Sequence, residues 1–190
     1  SVLDSGIKLQ DNTKDFDLSM EIAVVNELAT RLAGTIRDVV DFPTEGIVFK
    51  DITTLCKNAE AFAASVSAMA EPFRGSGIEQ IVAAESRGFI FGAAMAVELG
   101  CGFVPVRKPG KLPAETVRVD YELEYGSDTL EMHLDAVEPG QKVLLVDDLL
   151  ATGGTMGAVL EMVRGRGGDV VGASFLIELT FLPGRSQLPD

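Results

Sequence analysis

The sequence predicts an α/β fold in which a central, mostly parallel sheet is flanked by helices. Three observations predict it. Four short apolar runs, each about as long as a buried strand, recur along the chain. Segments with apolar residues at three- and four-residue steps, the period of a helix, separate several of them. Turn signals precede the last three runs. Continuous apolar runs are typical of strands that are buried on both faces of a parallel sheet.

The first helix is predicted over residues 20–40, where the apolar positions follow a helical period. An irregular segment, DFPTEGIVFKDIT, comes next because Pro43 and Gly46 interrupt regular structure. A second helix is then marked by four apolar positions, with Asn58 as its N-cap and Gly75 just beyond its end. The four positions are Phe62, Val66, Met69 and Phe73.

The predicted strands follow in order. The run IEQIVAA leads through residues 85–88 into a helix, FIFGAAMAVEL, which Gly100 ends. The remaining strands are GFVPV, VLLV at residues 143–146, and DVVGASFLIEL. Between residues 107 and 133 the pattern changes to a polar loop and a period-two alternation about Gly126, which predicts a hairpin that could act as a flexible lid.

Size and composition narrow the function. With 190 residues, we expect a single domain over residues 18–190 and a flexible polar N-terminal extension over residues 1–17. The net charge of −13 repels polyanions, so no nucleic-acid partner is expected. No apolar stretch approaches the ~20 residues of a membrane span, so no membrane partner is expected.

The cysteines and the histidine predict no zinc site. Cys56 and Cys101 lack metal-ligand spacing, and His133 cannot complete a site with these two residues alone. A reduced, cytoplasmic compartment fits this pattern best.

The run VLLVDDLLATGGT carries the clearest chemistry. Asp147 and Asp148 follow a predicted strand, at the edge of the sheet where ligands bind in α/β folds. Residues 151–155 predict a glycine-rich turn at a helix N-terminus, which is suited to a phosphate monoester. Carboxylates beside a phosphate fit a ligand with both a phosphate and a diol, such as ribose 5-phosphate. Neither GxxxxGK[ST] nor GxGxxG is present, so a nucleotide triphosphatase is disfavoured.

This run resembles the phosphoribosyl-diphosphate motif of type I phosphoribosyltransferases. Over roughly residues 20–187 the chain resembles the adenine phosphoribosyltransferase family, in segments that occur in the family's order. These are DFPTEGIVFKDIT, AAESRGFIFGAA, VPVRKPGKLPAET, YELEYGSDTLEMH and LIELTFLPGR. The resemblance implies a small N-terminal hood segment, a homodimer, and a non-proline cis bond at Ser86 and Arg87.

The resemblance also implies a reaction. A 5-phosphoribosyl group passes from phosphoribosyl diphosphate to N9 of adenine, with Mg²⁺, giving AMP and diphosphate in purine salvage. Related enzymes for 6-oxopurines carry an aspartate where this chain has Ala151, so the resemblance points to adenine.

Roles for individual residues follow from the resemblance. Asp147 and Asp148 are assigned to the ribose diol and the second shell of the metal, and the 5-phosphate to Ala151, Thr152, Gly153, Gly154 and Thr155. Diphosphate is assigned to Arg87, Lys108 and Lys111. Adenine is assigned to Val48, Phe49 and Lys50, although many family members have arginine in place of Lys50. Glu124 is assigned to proton transfer at adenine N7, and Tyr125 is expected to cover the site.

Several alternatives stay open at this point. Lys108 and Lys111 could lie on a solvated loop, and Val48 and Phe49 could simply belong to the core. Glu124 could face outward, in which case Glu122 or Glu131 could be confused with it. The same fold also serves as a non-catalytic sensor in some transcription regulators, or as an enzyme for orotate or xanthine.

Overall fold

The computed structural model describes residues 27–123 and 126–188, with residues 122, 123, 126 and 127 described by their backbone. The chain divides between Ala68 and Met69 into two compact units. No helix among these described residues has the length and apolar character needed to cross a membrane.

The first unit is built around a short hairpin. Its elements are helix α1 (residues 27–33), strands β1 (Arg37–Val40) and β2 (Val48–Asp51), helix α2 (Thr53–Cys56), and α3 (Ala59–Ala70), which continues past the division. Strands β1 and β2 pair antiparallel, from Arg37 opposite Asp51 to Val40 opposite Val48.

The prediction of one helix over residues 20–40 is therefore wrong in its last part, and residues 20–26 lie outside the described residues. The helix ends at residue 33, and the hydroxyl of Thr35 donates a hydrogen bond to the Leu32 carbonyl at 2.6 Å. The apolar residues that follow belong to a strand because they pair with β2, which also replaces part of the predicted irregular segment. The predicted N-cap is confirmed, since Asn58 Oδ1 accepts the Ala61 N–H at 3.1 Å.

The second unit contains the central sheet. Its strands are β3 (Gln80–Ala84), β4 (Gly102–Val106), β7 (Lys142–Leu150) and β8 (Asp169–Glu178), and a separate hairpin is formed by β5 (Thr116–Leu123) and β6 (Gly126–His133). The four sheet strands run parallel in the order β4-β3-β7-β8. The predicted α/β class with a parallel sheet is confirmed.

The strand order places a crevice between β3 and β7. From β3 the chain continues to one side of the sheet, toward β4, whereas from β7 it continues to the other side, toward β8. The two following segments therefore diverge at the carboxyl ends of these strands, which is the position where open α/β sheets bind ligands. Residues 85–87 follow β3 at this point, and β7 carries Asp147 and Asp148 there.

Helices cover the two faces of the sheet. Successive side chains of a strand point to opposite faces. Ile81 and Ala83 meet helix α4 (Gly88–Leu99) at Gly92, where an added Cβ would lie 2.8 Å from the Ala83 Cβ. Val82 and Ala84 instead join the buried cluster that includes helix α5 (Gly154–Gly165).

The base of the β5–β6 hairpin belongs to the core. Leu130 and Met132 of β6 are buried, and Val117 and Val119 of β5 pack against the same cluster as α5. Leu123 pairs with Gly126 at the far end. The hairpin is thus held at its base, and the lid role expected for residues 107–133 stays a prediction.

Candidate functional site

The loop of residues 151–155, called here the phosphate loop, leads from β7 into α5. Gly153 takes a φ of +88° at the residue before α5, which glycine adopts without the strain of a side chain. The first N–H groups of a helix lack partners inside the helix and carry partial positive charge. The loop lines a small cavity of about 60 Å³ together with Asp147, Leu149, Leu150 and Met156. A cavity thus lies at a helix N-terminus where the sequence predicts an anion cradle, and the binding of an anion there stays a prediction.

Strand β7 is longer than predicted. It continues through both acids to Leu150, because β8 still pairs with it there, as Leu149 opposite Ile177 shows. Its pairing with β3 ends earlier, at Val146. The acids thus lie on a strand that has a neighbour on one side and the crevice on the other.

Asp147 faces the phosphate-loop cavity and is held close to α4. A Cβ on Gly88 would lie 2.8 Å from Asp147 Oδ1, so the glycine leaves room for this carboxyl group. Burial, and then the neighbouring charge of Asp148, raise the pKa of Asp147 to about 8. The carboxyl group also accepts the Asp148 N–H at 2.9 Å. Asp147 therefore keeps a proton near neutral pH until a ligand compensates its charge.

Asp148 is paired with Arg87, 61 residues earlier in the chain. The guanidinium Nε donates to Asp148 Oδ2 at 2.6 Å, and the second nitrogen, Nη2, donates to the same oxygen. The Asp148 side chain is only 6% exposed and that of Arg87 29%. The structure thus brings together a residue assigned to diphosphate and one assigned to ribose.

The turn after β3 contains a non-proline cis peptide bond, which joins Glu85 to Ser86. The resemblance places it at Ser86 and Arg87, so the expected position is one bond too late.

The assigned cations of the 107–111 loop differ in their contacts. Lys108 Nζ lies 2.9 Å from Asp128 Oδ2 on β6, and this contact lowers the pKa of Asp128 and raises that of Lys108. The Lys111 backbone carbonyl accepts a hydrogen bond from Arg107 at 3.4 Å. Lys108 is therefore not simply solvated, although its side chain is 56% exposed.

Glu131 organises this loop, a role that the sequence reasoning missed. It is buried, its Oε2 accepts the Gly110 N–H at 3.1 Å, and its Oε1 pairs with Arg118 at 2.7 Å. Its backbone also exchanges two hydrogen bonds with Arg107, of 2.7 and 2.8 Å. Opposite charges that face each other across a hairpin, as Arg118 and Glu131 do, were the available signal.

The residues assigned to adenine lie in the first unit, on β2. Val48 is 49% exposed, so it is not a core residue. Phe49 is half-buried and meets Phe42 edge to face, with ring centroids 5.2 Å apart. Lys50 Nζ pairs with Asp38 Oδ1 at 2.7 Å. Glu124 and Tyr125 lie outside the described residues, so their assigned roles stay predictions.

In the described part of the chain, the acidic and sulfur-containing side chains do not form a metal cage. Within residues 27–123 and 126–188, no group of three or more His, Cys, Asp or Glu side chains is placed to hold a metal ion. Asp147 and Asp148 supply oxygen atoms, the donors that Mg²⁺ prefers, but Asp148 already has a cation beside it. These oxygen donors are of the kind that fits a magnesium ion.

Comparisons with known proteins agree with this geometry. Residues 54–180 match the phosphoribosyl transferase domain family. An adenine phosphoribosyltransferase of Acidobacterium capsulatum is 58% identical, over 84% of this chain and 88% of that protein. The crystal structure of the Thermoanaerobacter pseudethanolicus enzyme of that name has a TM-score of 0.82 at 54% identity, covering 84% of this chain and 92% of that one.

A third relative is the Saccharomyces cerevisiae enzyme, whose crystal structure is a complex with D-2,5-dideoxy-2,5-imino-altritol 1,6-bisphosphate and adenine. It has a TM-score of 0.81 at 41% identity, over 86% of this chain and 96% of that one. Identity of this extent over most of both chains goes well beyond a shared fold. The chain belongs to the adenine phosphoribosyltransferase family.

Proposed function

We propose that this chain transfers the 5-phosphoribosyl group from phosphoribosyl diphosphate to N9 of adenine, giving AMP and diphosphate. The observation that carries the proposal is the shared cavity of Asp147 and the phosphate loop, at the crevice between β3 and β7. A sugar phosphate needs both an anion cradle and a partner for its hydroxyl groups. The family and the adenine-bound yeast relative support adenine as the acceptor.

The phosphate loop binds the 5-phosphate in this scheme. Ala151, Gly153 and Gly154 offer backbone N–H groups without large side chains, and the hydroxyls of Thr152 and Thr155 donate further hydrogen bonds. Hydrogen bonds to a charged phosphate are stronger than those between neutral groups. The loop therefore holds the sugar at its phosphate end while the anomeric carbon reacts.

The two acids hold the ribose. Ribose hydroxyls donate to carboxylates, so binding favours the ionised form of Asp147, whose raised pKa means that it gives up a proton as the sugar binds. Asp148 is paired with Arg87 before the substrate binds, and it accepts from the second hydroxyl once Arg87 turns to the diphosphate. The pair orients the anomeric carbon, which lowers the entropic cost of reaching the transition state.

Asp147 and Asp148 would hold, through bound water, a Mg²⁺ ion that accompanies phosphoribosyl diphosphate. When bound, the ion neutralises charge on the leaving diphosphate. The support is the pair of carboxylates at the crevice, whose oxygen atoms are the donors that Mg²⁺ prefers.

Three cations bind the diphosphate. Arg87 can offer two N–H groups in parallel, whereas Lys108 and Lys111 supply point charges from the 107–111 loop. Arg87 and Lys108 each sit beside a carboxylate, Asp148 and Asp128. Binding therefore consists of an exchange of partners, in which diphosphate oxygens replace carboxylate oxygens.

Adenine is held by Val48, Phe49 and Lys50 on β2, and Tyr125 covers it. Exposed Val48 and half-buried Phe49 offer apolar surface for a flat ring. Glu124 delivers a proton to N7 while N9 gives up its own proton to water, so that the N9 lone pair is available to attack the anomeric carbon. Family resemblance supports these five roles.

The protein works as a homodimer in the cytoplasm. Family resemblance supports the dimer. Cys56 and Cys101, which are free thiols, support a reducing compartment.

The activity is tested by mixing the protein with Mg²⁺, phosphoribosyl diphosphate and one base at a time: adenine, hypoxanthine, guanine or orotate. Adenine alone should give nucleotide and diphosphate, and a chelator should abolish the reaction. Efficient turnover of hypoxanthine, guanine or orotate would overturn the base assignment. Binding of phosphoribosyl diphosphate without turnover of any base would favour a sensor domain.

A change at Glu124 tests the assigned proton transfer. Glu124→Gln should lower kcat roughly 100-fold, within the usual range for general acid catalysis, while the affinity for phosphoribosyl diphosphate stays nearly unchanged. Glu122→Gln is the matched control on the same hairpin and should keep the parent's kcat. A Glu124→Gln variant as fast as the parent would remove this residue from the mechanism.

A further inference from the structure

The segment that follows β8 lies directly behind the phosphate loop. After β8 the chain forms a short 3-10 helix, Gly184–Gln187. Gly184 is buried, and an added Cβ there would collide with the Ala151 carbonyl oxygen and lie 3.0 Å from the Leu150 side chain. A side chain at Gly184 would therefore have to displace the start of the loop.

Gly153 of the phosphate loop makes the other side of this contact. A Cβ on Gly153 would lie 2.8 Å from the Gly184 carbonyl oxygen and 2.9 Å from the Gln187 Cβ. The two glycines thus pack with almost no space between their backbones. Gly153 needs its left-handed conformation to start α5, so this contact bears on the residue that sets the loop's shape.

The 3-10 helix is itself anchored. Arg185 donates two hydrogen bonds to Glu178, the last residue of β8, at 3.2 and 2.7 Å. The next residue, Leu179, donates its N–H to the Leu150 carbonyl at 2.9 Å. The segment is therefore tied to the same strand end from which the phosphate loop departs.

The contact reaches the loop from its outer side. In the described part of the chain, the cavity is lined by Asp147 and residues 149–156 and by no residue of the 3-10 helix. Any effect of Gly184 on a ligand must therefore pass through the loop. Backbone N–H groups bind an anion well only when they already point at it, so a rigid support behind the loop matters for affinity.

We propose that Gly184 is a positioning residue. Together with the 3-10 helix that it begins, it packs against the phosphate loop and holds the loop in the conformation that binds the 5-phosphate monoester. This inference rests on the proposed function for its ligand. It adds that the chain's C-terminal segment sets affinity at one end of the substrate and leaves the diphosphate end unaffected.

The test compares Gly184→Ala with Gly157→Ala. Gly157 lies on α5, where an added Cβ meets nothing within 4 Å, so it controls for the substitution itself. Affinities are measured for ribose 5-phosphate and, separately, for inorganic diphosphate, together with kcat and the KM values for both substrates. For Gly184→Ala we expect ribose 5-phosphate to bind roughly tenfold more weakly or worse, because hydrogen bonds to a charged group are lost. Diphosphate should bind within about twofold of the parent, since it uses Arg87, Lys108 and Lys111.

A second variant covers the case in which Gly184→Ala does not fold. Arg185→Ala adds no atom to the contact and only unties the 3-10 helix from Glu178, through a side chain that is 65% exposed. It should weaken ribose 5-phosphate binding by about two- to fivefold and leave diphosphate binding unchanged.

Equal losses for both ligands would mean a general structural defect, and parent-like binding of ribose 5-phosphate in every folded variant would mean no support role; either result overturns the inference. The proposed function fails on a different result, namely that the parent makes no AMP. The two can thus be told apart in one set of measurements.

Discussion

The phosphate loop and the cations Arg87 and Lys108 lie in the same unit but are prepared for an anion in different ways. The loop offers backbone groups at the start of α5, in a cavity that is already formed. Arg87 and Lys108 instead each contact a carboxylate, Asp148 or Asp128. Under the proposed function, the phosphate loop binds an anion with its donors already in place, whereas Arg87 and Lys108 must first release a carboxylate.

This difference teaches how an acidic chain can bind an anion-rich substrate. With a net charge of −13, unpaired cations are costly to keep beside so many carboxylates. Backbone donors avoid this problem because they carry no formal charge. We therefore expect the monoester end to depend on shape, and the diphosphate end to depend on charge and salt. The following predictions test that expectation, from the largest effect to the smallest.

Arg87→Ala should have the largest effect. It removes a side chain that we propose binds diphosphate and leaves Asp148 buried without its cation, so kcat/KM should fall on the order of 100-fold or more. Diphosphate affinity should fall more than ribose 5-phosphate affinity. Arg74→Ala, which removes an arginine paired with Glu71 and Glu98 at the surface, is the control and should behave as the parent. Equal losses of affinity for diphosphate and for ribose 5-phosphate would contradict the expectation that the two ends of the substrate are bound in different ways.

Asp147→Asn should change how stability depends on pH. The folded protein keeps a proton on this carboxyl group up to about pH 8, whereas the unfolded chain releases it near pH 4. The folded state therefore binds more protons across this window, and its stability falls as the pH rises through it. Asparagine carries no such proton. The free energy of unfolding of the variant should therefore rise relative to that of the parent between pH 5 and pH 8, by on the order of a few kcal/mol. Chemical unfolding at both pH values measures the change, and identical slopes for parent and variant would count against it.

Thr155→Ala should weaken binding of the phosphate monoester and leave diphosphate binding unchanged. Loss of one hydroxyl donor to a charged phosphate should reduce ribose 5-phosphate affinity by roughly 10- to 100-fold. Diphosphate binding serves as the internal control and should stay within about twofold. Titration calorimetry with each ligand gives both values. A comparable loss for diphosphate would show that Thr155 acts on both ends.

Asp128→Asn should have the smallest effect, and in the opposite direction. It frees Lys108 from an exposed contact, so phosphoribosyl diphosphate should bind about two- to fivefold more tightly at low salt. The gain should shrink as salt is added. Asp120→Asn on the neighbouring strand is the control and should leave affinity unchanged. Weaker binding in Asp128→Asn would show that Asp128 places Lys108 for the ligand rather than competing with it.

The sequence predicted the fold where local pattern and burial agree. The four parallel strands and α4, which ends at Leu99 just before Gly100, follow directly from apolar runs and turn residues. It was less successful where pairing decides structure. Residues 37–40 continue a helical pattern but form a strand because β2 lies beside them. The end of β7 was also missed, because its last residues depend on β8.

The candidate site also contains a part that the sequence predicted and a part that depends on contacts between distant segments. Asp147, Asp148 and the phosphate loop are contiguous, so one motif predicted them together. The contact of Arg87 with Asp148 spans 61 residues, and the contact of Gly184 with the loop joins segments about 30 residues apart. Single-residue patterns carry no information on such pairs. Glu131 was weighed only as a rival to Glu124, since nothing local marks it as buried.

The close packing of α4 against the sheet affects how fast a ligand can enter the site. Gly88 and Gly92 let this helix touch the sheet so closely that added methyl groups would lie 2.8 Å from Asp147 Oδ1 and from the Ala83 Cβ. A helix packed in this way cannot shift without opening the core. Arg87, at its start, must therefore change partners by turning its own side chain and not by a movement of the helix. No slow rearrangement of the scaffold should limit how fast diphosphate arrives at Arg87.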